Sequence, residues 1–328
     1  MTPRLVGSNA ETTRILNDPE AKEEGRIRMV TRPHAVTNPP LVGLISRLVD
    51  VTQNQLNHFA QSINSIQEGQ ETDLFKAVTR QLTAAFMHSF YSPQNPSAIH
   101  PELLEKFWDW ENGNLGYAVG VVPSITARKA YRGIEACVQG FLKYTNKEGI
   151  SEYKHARLEL GMSFAFNSNA GIASFWVLNN IFSRPDLPVE LRDEVRKNAI
   201  EAPNTISASK LRDECPLLNS VWRKTIAGGV LHSDTEIWGP DASTFNARRF
   251  YYTPNGTKTD ASGNVVDDTA SIVHPAACRG FGGGMSLCPG RHFAQMEVIS
   301  LAAVFALRFD MQPVTGVGKV KWDPLRDD

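Results

Sequence analysis

The residues of this chain best suited to chemistry fall in 281–294, Phe-Gly-Gly-Gly-Met-Ser-Leu-Cys-Pro-Gly-Arg-His-Phe-Ala, around one cysteine, Cys288. Three glycines precede the sulfur and a helical pattern follows it. A thiolate that ligates iron beneath a flat porphyrin must come close to the ring. Its loop therefore favours residues without side chains, and Gly282, Gly283 and Gly284 meet that need. Backbone N–H groups bared by such a loop can donate to the sulfur and tune the metal. Pro289 suits a first helical turn, and a helix N-terminus favours the thiolate form of a cysteine placed there. A second arrangement uses the same cysteine: His274, Cys278, Cys288 and His292 offer HxxxC and CxxxH spacings to zinc, but without a short CxxC knuckle and with no use for the glycines. No GxGxxG or GxxxxGK[ST] pattern threads through 280–290, which excludes a nucleotide loop there.

The elements that must hold this loop come from a chain of 328 residues, enough to bury a large core. Lys plus Arg number 34 against 35 Asp plus Glu, a net charge of -1, so no basic field argues for nucleic acid. Cys137, Cys215, Cys278 and Cys288 are too sparse for a disulfide framework, which suits a reducing compartment. The N-terminus has no apolar h-region. The longest apolar candidate, 293–307, is broken by Gln295 and Glu297, so no membrane span is expected.

Taken in order, Ser8 and Glu11 form a capping box for a helix over 10–17, and apolar spacing predicts an amphipathic helix from Leu41 to Ile63. Asp73 caps a helix that places Leu74, Phe75, Val78, Leu82, Ala85 and Phe86 on one face. Helices follow over 101–111 and 124–144, with an ambiguous Gly-punctuated stretch at 115–122. The segment 152–182 predicts a long helix whose few charges after Glu159 indicate a central position. A charged surface helix over 189–200, an exposed hairpin or loop within 252–271 and a final helix over 289–307 complete the reading.

At Phe281, Gly284, Cys288, Gly290 and Ala294 the chain reproduces FxxGxxxCxGxxxA, and it thereby resembles the cytochrome P450 family. Ser286 stands where many members carry Arg or His. The resemblance implies a mainly α fold with small β-sheets, a single domain over 1–328, and haem b with Cys288 as axial ligand. The stretch 152–182 resembles the family's I helix, which crosses the haem face opposite the thiolate. The usual acid-alcohol pair for proton relay is absent there. Asn169, with Gly171 and Phe175-Trp176, is similar instead to the branch containing prostacyclin synthase and sterol 7-hydroxylases, and the resemblance makes Asn169 the candidate catalytic residue. An amide can hydrogen-bond an oxygen ligand but donates protons poorly. The competing role is an Asn that bonds the backbone of its own helix and kinks it.

Residues 215–225 resemble the start of the K helix, which in the family runs into an ExxR ion pair. Here Lys224 takes the Glu position and Ala227 the Arg position, and the chain passes to a stretch around Trp238 and to 245–250, which resembles the family's PERF-like motif. The fold is therefore expected to be incomplete at both ends and around the K helix, and Arg249 must find another partner or solvent. The resemblance implies a monooxygenase for a small apolar substrate in fungal-type specialised metabolism, supplied by NADPH-cytochrome P450 reductase. Location on the cytoplasmic side of the endoplasmic reticulum, with peripheral membrane contact only, goes with it. Two other readings stand beside it: a peroxide-rearranging haem-thiolate isomerase, suggested by Asn169, and a truncated haem-binding protein without turnover.

Overall fold

A computed structural model describes residues 72–91, 94–142, 152–202, 205–227, 234–251, 258–259, 265–266, 279–283, 287–288 and 290–311. The expected helices over 10–17 and Leu41 to Ile63 lie outside them. The described part is mainly helical, with two short two-stranded antiparallel sheets. The described residues fall into two compact units, one within 76–171, the other within 72–75 and 172–311.

The first unit contains most of α1 (Leu74–Tyr91), α2 (Pro96–Ile99), α3 (Glu102–Asn112), α4 (Asn114–Val119), α5 (Pro123–Thr126), α6 (Arg128–Leu142) and the start of α7 (Glu152–Phe182). Val78, Leu82, Ala85 and Phe86 are buried, as their shared helical face predicts. They join Trp108, Trp110, Ile134, Val138 and Leu160 in one core. The Trp108 indole N–H donates to Thr83 Oγ1 at 3.1 Å, so the buried ring keeps its polar atom satisfied. The helix expected over 124–144 divides at Ala127, because Pro123 opens a separate turn and Thr126 Oγ1 returns to Val122 O at 3.1 Å. Part of the ambiguous 115–122 stretch is helical, as α4.

The second unit contains the end of α7, α8 (Leu187–Asn198), β1 (Ile200–Ala202) paired with β2 (Thr205–Ile206), α9 (Ala208–Asp213), α10 (Pro216–Ile226), α11 (Thr235–Trp238), β3 (Lys258–Thr259) paired with β4 (Val265–Val266), and α12 (Arg291–Arg308). Within the stretch 252–271, expected as a hairpin or loop, β3 and β4 pair antiparallel. α7 has the predicted bounds, whereas Pro188 lies inside the first turn of α8 rather than before it. α12 is buried along nearly its whole length and packs on α8, α9 and α10. At its C-terminus Arg192 of α8 donates to Ala306 O at 2.6 Å and Phe309 O at 3.2 Å, satisfying carbonyls that a helix end leaves open. Among the described residues no helix is long and apolar enough to cross a membrane.

Candidate haem-thiolate site

Cys288 is positioned through its backbone. Gly282 N donates to Arg279 O at 2.9 Å to close a turn, and Gly282 takes φ 77°, where a Cβ would be strained. The chain then returns so that Cys288 N donates to Phe281 O at 3.0 Å. Phe281 packs on Trp222 of α10, ring centroids 6.0 Å apart. Beyond the sulfur, Arg291 Nη1 donates to Cys288 O at 3.1 Å, and Ala294 N donates to Gly290 O at 2.9 Å. Four of the five signature residues are thus seen: Phe281 and Cys288 joined by one backbone bond, Gly290 and Ala294 by another. Gly284 lies outside the described residues.

α12 begins at Arg291 with Gly290 as its cap, so Cys288 sits just ahead of the first turn rather than in it. The helix dipole therefore reaches the sulfur less directly than Pro289 at the first position implied. Cys288 is a free, half-buried thiol. Cys137 and Cys215 are free but buried, and burial pushes both thiols up to about 12, which makes them packing groups rather than nucleophiles. Among the described residues no three His, Cys, Asp or Glu side chains gather to hold a metal; His274 and Cys278 of the zinc arrangement lie outside them.

Asn169, in the first unit, is exposed, and no described side chain or backbone group bonds its amide. The role of bonding its own helix falls to Asn167, which is buried and donates from Nδ2 to Ser163 O at 2.8 Å. Next to it, Ser168 Oγ donates to Glu111 Oε1 at 2.7 Å. The three consecutive polar residues of α7 therefore divide between self-bonding, tying to α3 and facing outward, as a 3.6-residue period requires.

The corner at Lys224 departs furthest from the family pattern. Lys224 is 8% exposed and its Nζ donates to Ala242 O at 2.8 Å. Burial, reinforced by the Arg249 guanidinium and opposed by Asp241, pulls its ammonium down to about 8. Arg249 donates to Trp238 O and Asp241 O, each at 2.6 Å, and pairs with the Asp241 carboxylate at 2.7 Å. This is the partner that the sequence required for Arg249. Two cations share one corner, held by carbonyls and a single acid; the Arg249 Nε stays buried without an acceptor.

Two acids, Glu194 half-buried and Glu297 buried, were not legible in the sequence as functional candidates. Glu194 of α8 accepts from Leu217 N at 2.8 Å and Leu218 N at 3.0 Å, and burial outweighs these donors to push its carboxyl up to about 7. Glu297 of α12 is 2% exposed with neither oxygen bonded, and burial alone raises it well above the usual carboxylate range. Its interruption of an apolar helix was visible; its burial was not.

The loop residues fit a haem iron ligand: a free, accessible sulfur, an amide already tied back, and a glycine at the turn where the chain reverses. Such a loop, in a mainly helical protein, suits thiolate ligation. Residues 225–325 match the cytochrome P450 family model. The cytochrome P450 monooxygenase nodJ of Hypoxylon pulicicidum is 26% identical, over 89% of this chain and 70% of that protein. A cytochrome P450 monooxygenase of Gibberella zeae is 25% identical, over 83% and 61%. The 7-alpha-hydroxycholest-4-en-3-one 12-alpha-hydroxylase of Oryctolagus cuniculus is 22% identical, over 69% and 53%. Over residues 225–325 the chain thus matches the cytochrome P450 family, and along most of its length it is similar to fungal cytochrome P450 monooxygenases. The nodJ alignment runs over 371 positions, more than the 328 residues of the chain, so that relative carries stretches this chain lacks.

Proposed function

We propose that the chain is a haem-thiolate monooxygenase acting on a small apolar substrate with dioxygen and electrons from NADPH-cytochrome P450 reductase, in specialised metabolism. The observation that carries the reading is the Cys288 loop, with its free sulfur and its amide bonded to Phe281 O. The fungal monooxygenases among its relatives support the reaction class, and the name of the rabbit relative supports an apolar, sterol-like substrate size. Haem b, when bound, supplies the C–H oxidation, with electron density pushed onto iron by the thiolate. The protein's part is to hold Cys288 in its loop, to keep the Phe281 ring packed on Trp222, and to offer the Asn169 amide to a polar oxygen.

The reading takes 1–328 as one haem-binding domain, bound peripherally at the cytoplasmic face of the endoplasmic reticulum. Leu115, Val119, Val121, Val122 and Ile125 are all exposed within 11 residues and followed by Arg128, Lys129 and Arg132, a composition suited to an interfacial contact. Sedimentation with phosphatidylcholine–phosphatidylserine vesicles, lost on V121D/I125D, tests that part. Reconstitution with haem tests the core: the red-shifted Soret band of the reduced carbon monoxide complex is expected, and its absence overturns both enzymatic readings. A second reading, a peroxide-rearranging isomerase, draws on Asn169 standing where the acid-alcohol pair is missing. Turnover of an organic hydroperoxide without reductase selects it, and strict reductase dependence removes it.

A further inference from the structure

The first turn of α10 has no cap of its own. Pro216 carries no N–H, and the N-cap residue Cys215 makes no side-chain bond to the helix. The amides of Leu217 and Leu218 are instead received by the two carboxylate oxygens of Glu194, from α8. This is capping in trans, with a carboxyl group at the positive end of the helix dipole. Arg248 and Glu190 are the charged groups that act on Glu194, and they pair with each other.

The same helix carries the thiolate loop at its other end. Trp222 packs on Phe281, and Ile226 lies so near Gly280 that a Cβ there would stand 3.0 Å from Ile226 Cδ1 and 3.1 Å from Ile226 O. Phe281 O in turn accepts the Cys288 amide. Asn219, midway, ties α10 to α9 through Leu211 O at 2.8 Å and accepts from Gln295 of α12 at 2.8 Å.

We infer that Glu194 is a positioning residue for Cys288: by clamping the first turn of α10 it fixes where Trp222 and Ile226 stand, and these set the first half of the loop that presents the sulfur. It acts through the helix and touches neither the sulfur nor any ligand of it. The inference rests on the proposed haem-thiolate reading only for its spectroscopic readout; the positioning itself is tested without haem.

The test is amide hydrogen exchange on the full chain, with Glu194→Gln and Trp222→Leu. Glu194→Gln replaces one acceptor oxygen by a donor, and exchange at Leu217 and Leu218 is expected to rise roughly tenfold, with a parallel rise at 279–283 and 288. Trp222→Leu cuts the next link, so the loop amides speed up while Leu217 and Leu218 remain protected. If Glu194→Gln does not fold, Glu194→Asp, which keeps the charge but retracts it by one methylene, is expected to give the same pattern at smaller amplitude. In the haem-loaded variants a smaller fraction shows the red-shifted band. Freed Leu217 and Leu218 amides with an unchanged loop would make Glu194 a local cap and overturn the inference, as would a loop indifferent to Trp222→Leu. Should the wild type bind haem without that band, the proposed function falls, while the exchange data still decide the positioning.

Discussion

The Cys288 loop and the Lys224–Arg249 corner both rely on backbone carbonyls, for opposite ends. In the loop a carbonyl receives a neutral amide, Phe281 O from Cys288, and the result is a fixed place for the cysteine backbone. In the corner Ala242 O, Trp238 O and Asp241 O receive two cations where the family pattern has an acid to pair with arginine. Carbonyls can satisfy the hydrogen bonds of a buried cation but neutralise no charge, and the single Asp241 carboxylate offsets only part of the repulsion between Lys224 and Arg249. The site is therefore built to pattern, and its support is built from substitutes.

The largest expected effect breaks the two regions apart. Cys288→Ser should abolish the red-shifted carbon monoxide band while leaving thermal unfolding nearly unchanged, since the sulfur takes part in no described packing core. A matching loss of stability would mean the loop is structural. Next, Arg249→Leu leaves two carbonyls without their donor and should cost roughly 3 kcal/mol in urea unfolding. A loss under about 1 kcal/mol would mean the guanidinium is already solvated.

Lys224 gives a pH signature. Its folded pKa is about 8 against 10.5 unfolded, so the unfolded chain holds more protons between those values, and stability should rise with pH across that window, by up to roughly 3 kcal/mol. Lys224→Met should flatten the rise; a rise that survives belongs to another group. The smallest effect returns to the loop. Gly282→Ala forces a Cβ into φ 77° and should cost about 1 kcal/mol, read as a lowered unfolding midpoint with the band intact.

Much of the helical order could be read from the chain. α7 was bounded correctly because few charges follow Glu159 and prolines stop the pattern, Asp73 marked the helix that begins at Leu74, and the helix from Pro216 came from the resemblance to the K helix. The break at Ala127 was not legible, because the local alternative, a Thr126 hydroxyl returning to Val122 O, competes with helix at nearly equal energy. Asn169 was chosen from its neighbours, yet which of three polar residues faces outward depends on helix phase against α1 and α3. Glu194 gave no signal at all: a glutamate in a charged surface helix looks solvated until the helix it caps is placed beside it.

The sequence alone determined that one cysteine stands in a glycine loop ahead of an apolar helix, and that the expected acid-arginine pair is missing, because both are matters of residue type and spacing. Only the tertiary structure decided how these are managed. It tied Cys288 to Phe281 O, gave Arg249 the Asp241 carboxylate, and brought Glu194 to the head of α10. The Glu194 contact joins two helices and the other two close short loops, and the energy of a buried charge or an uncapped helix depends on what folding places next to it.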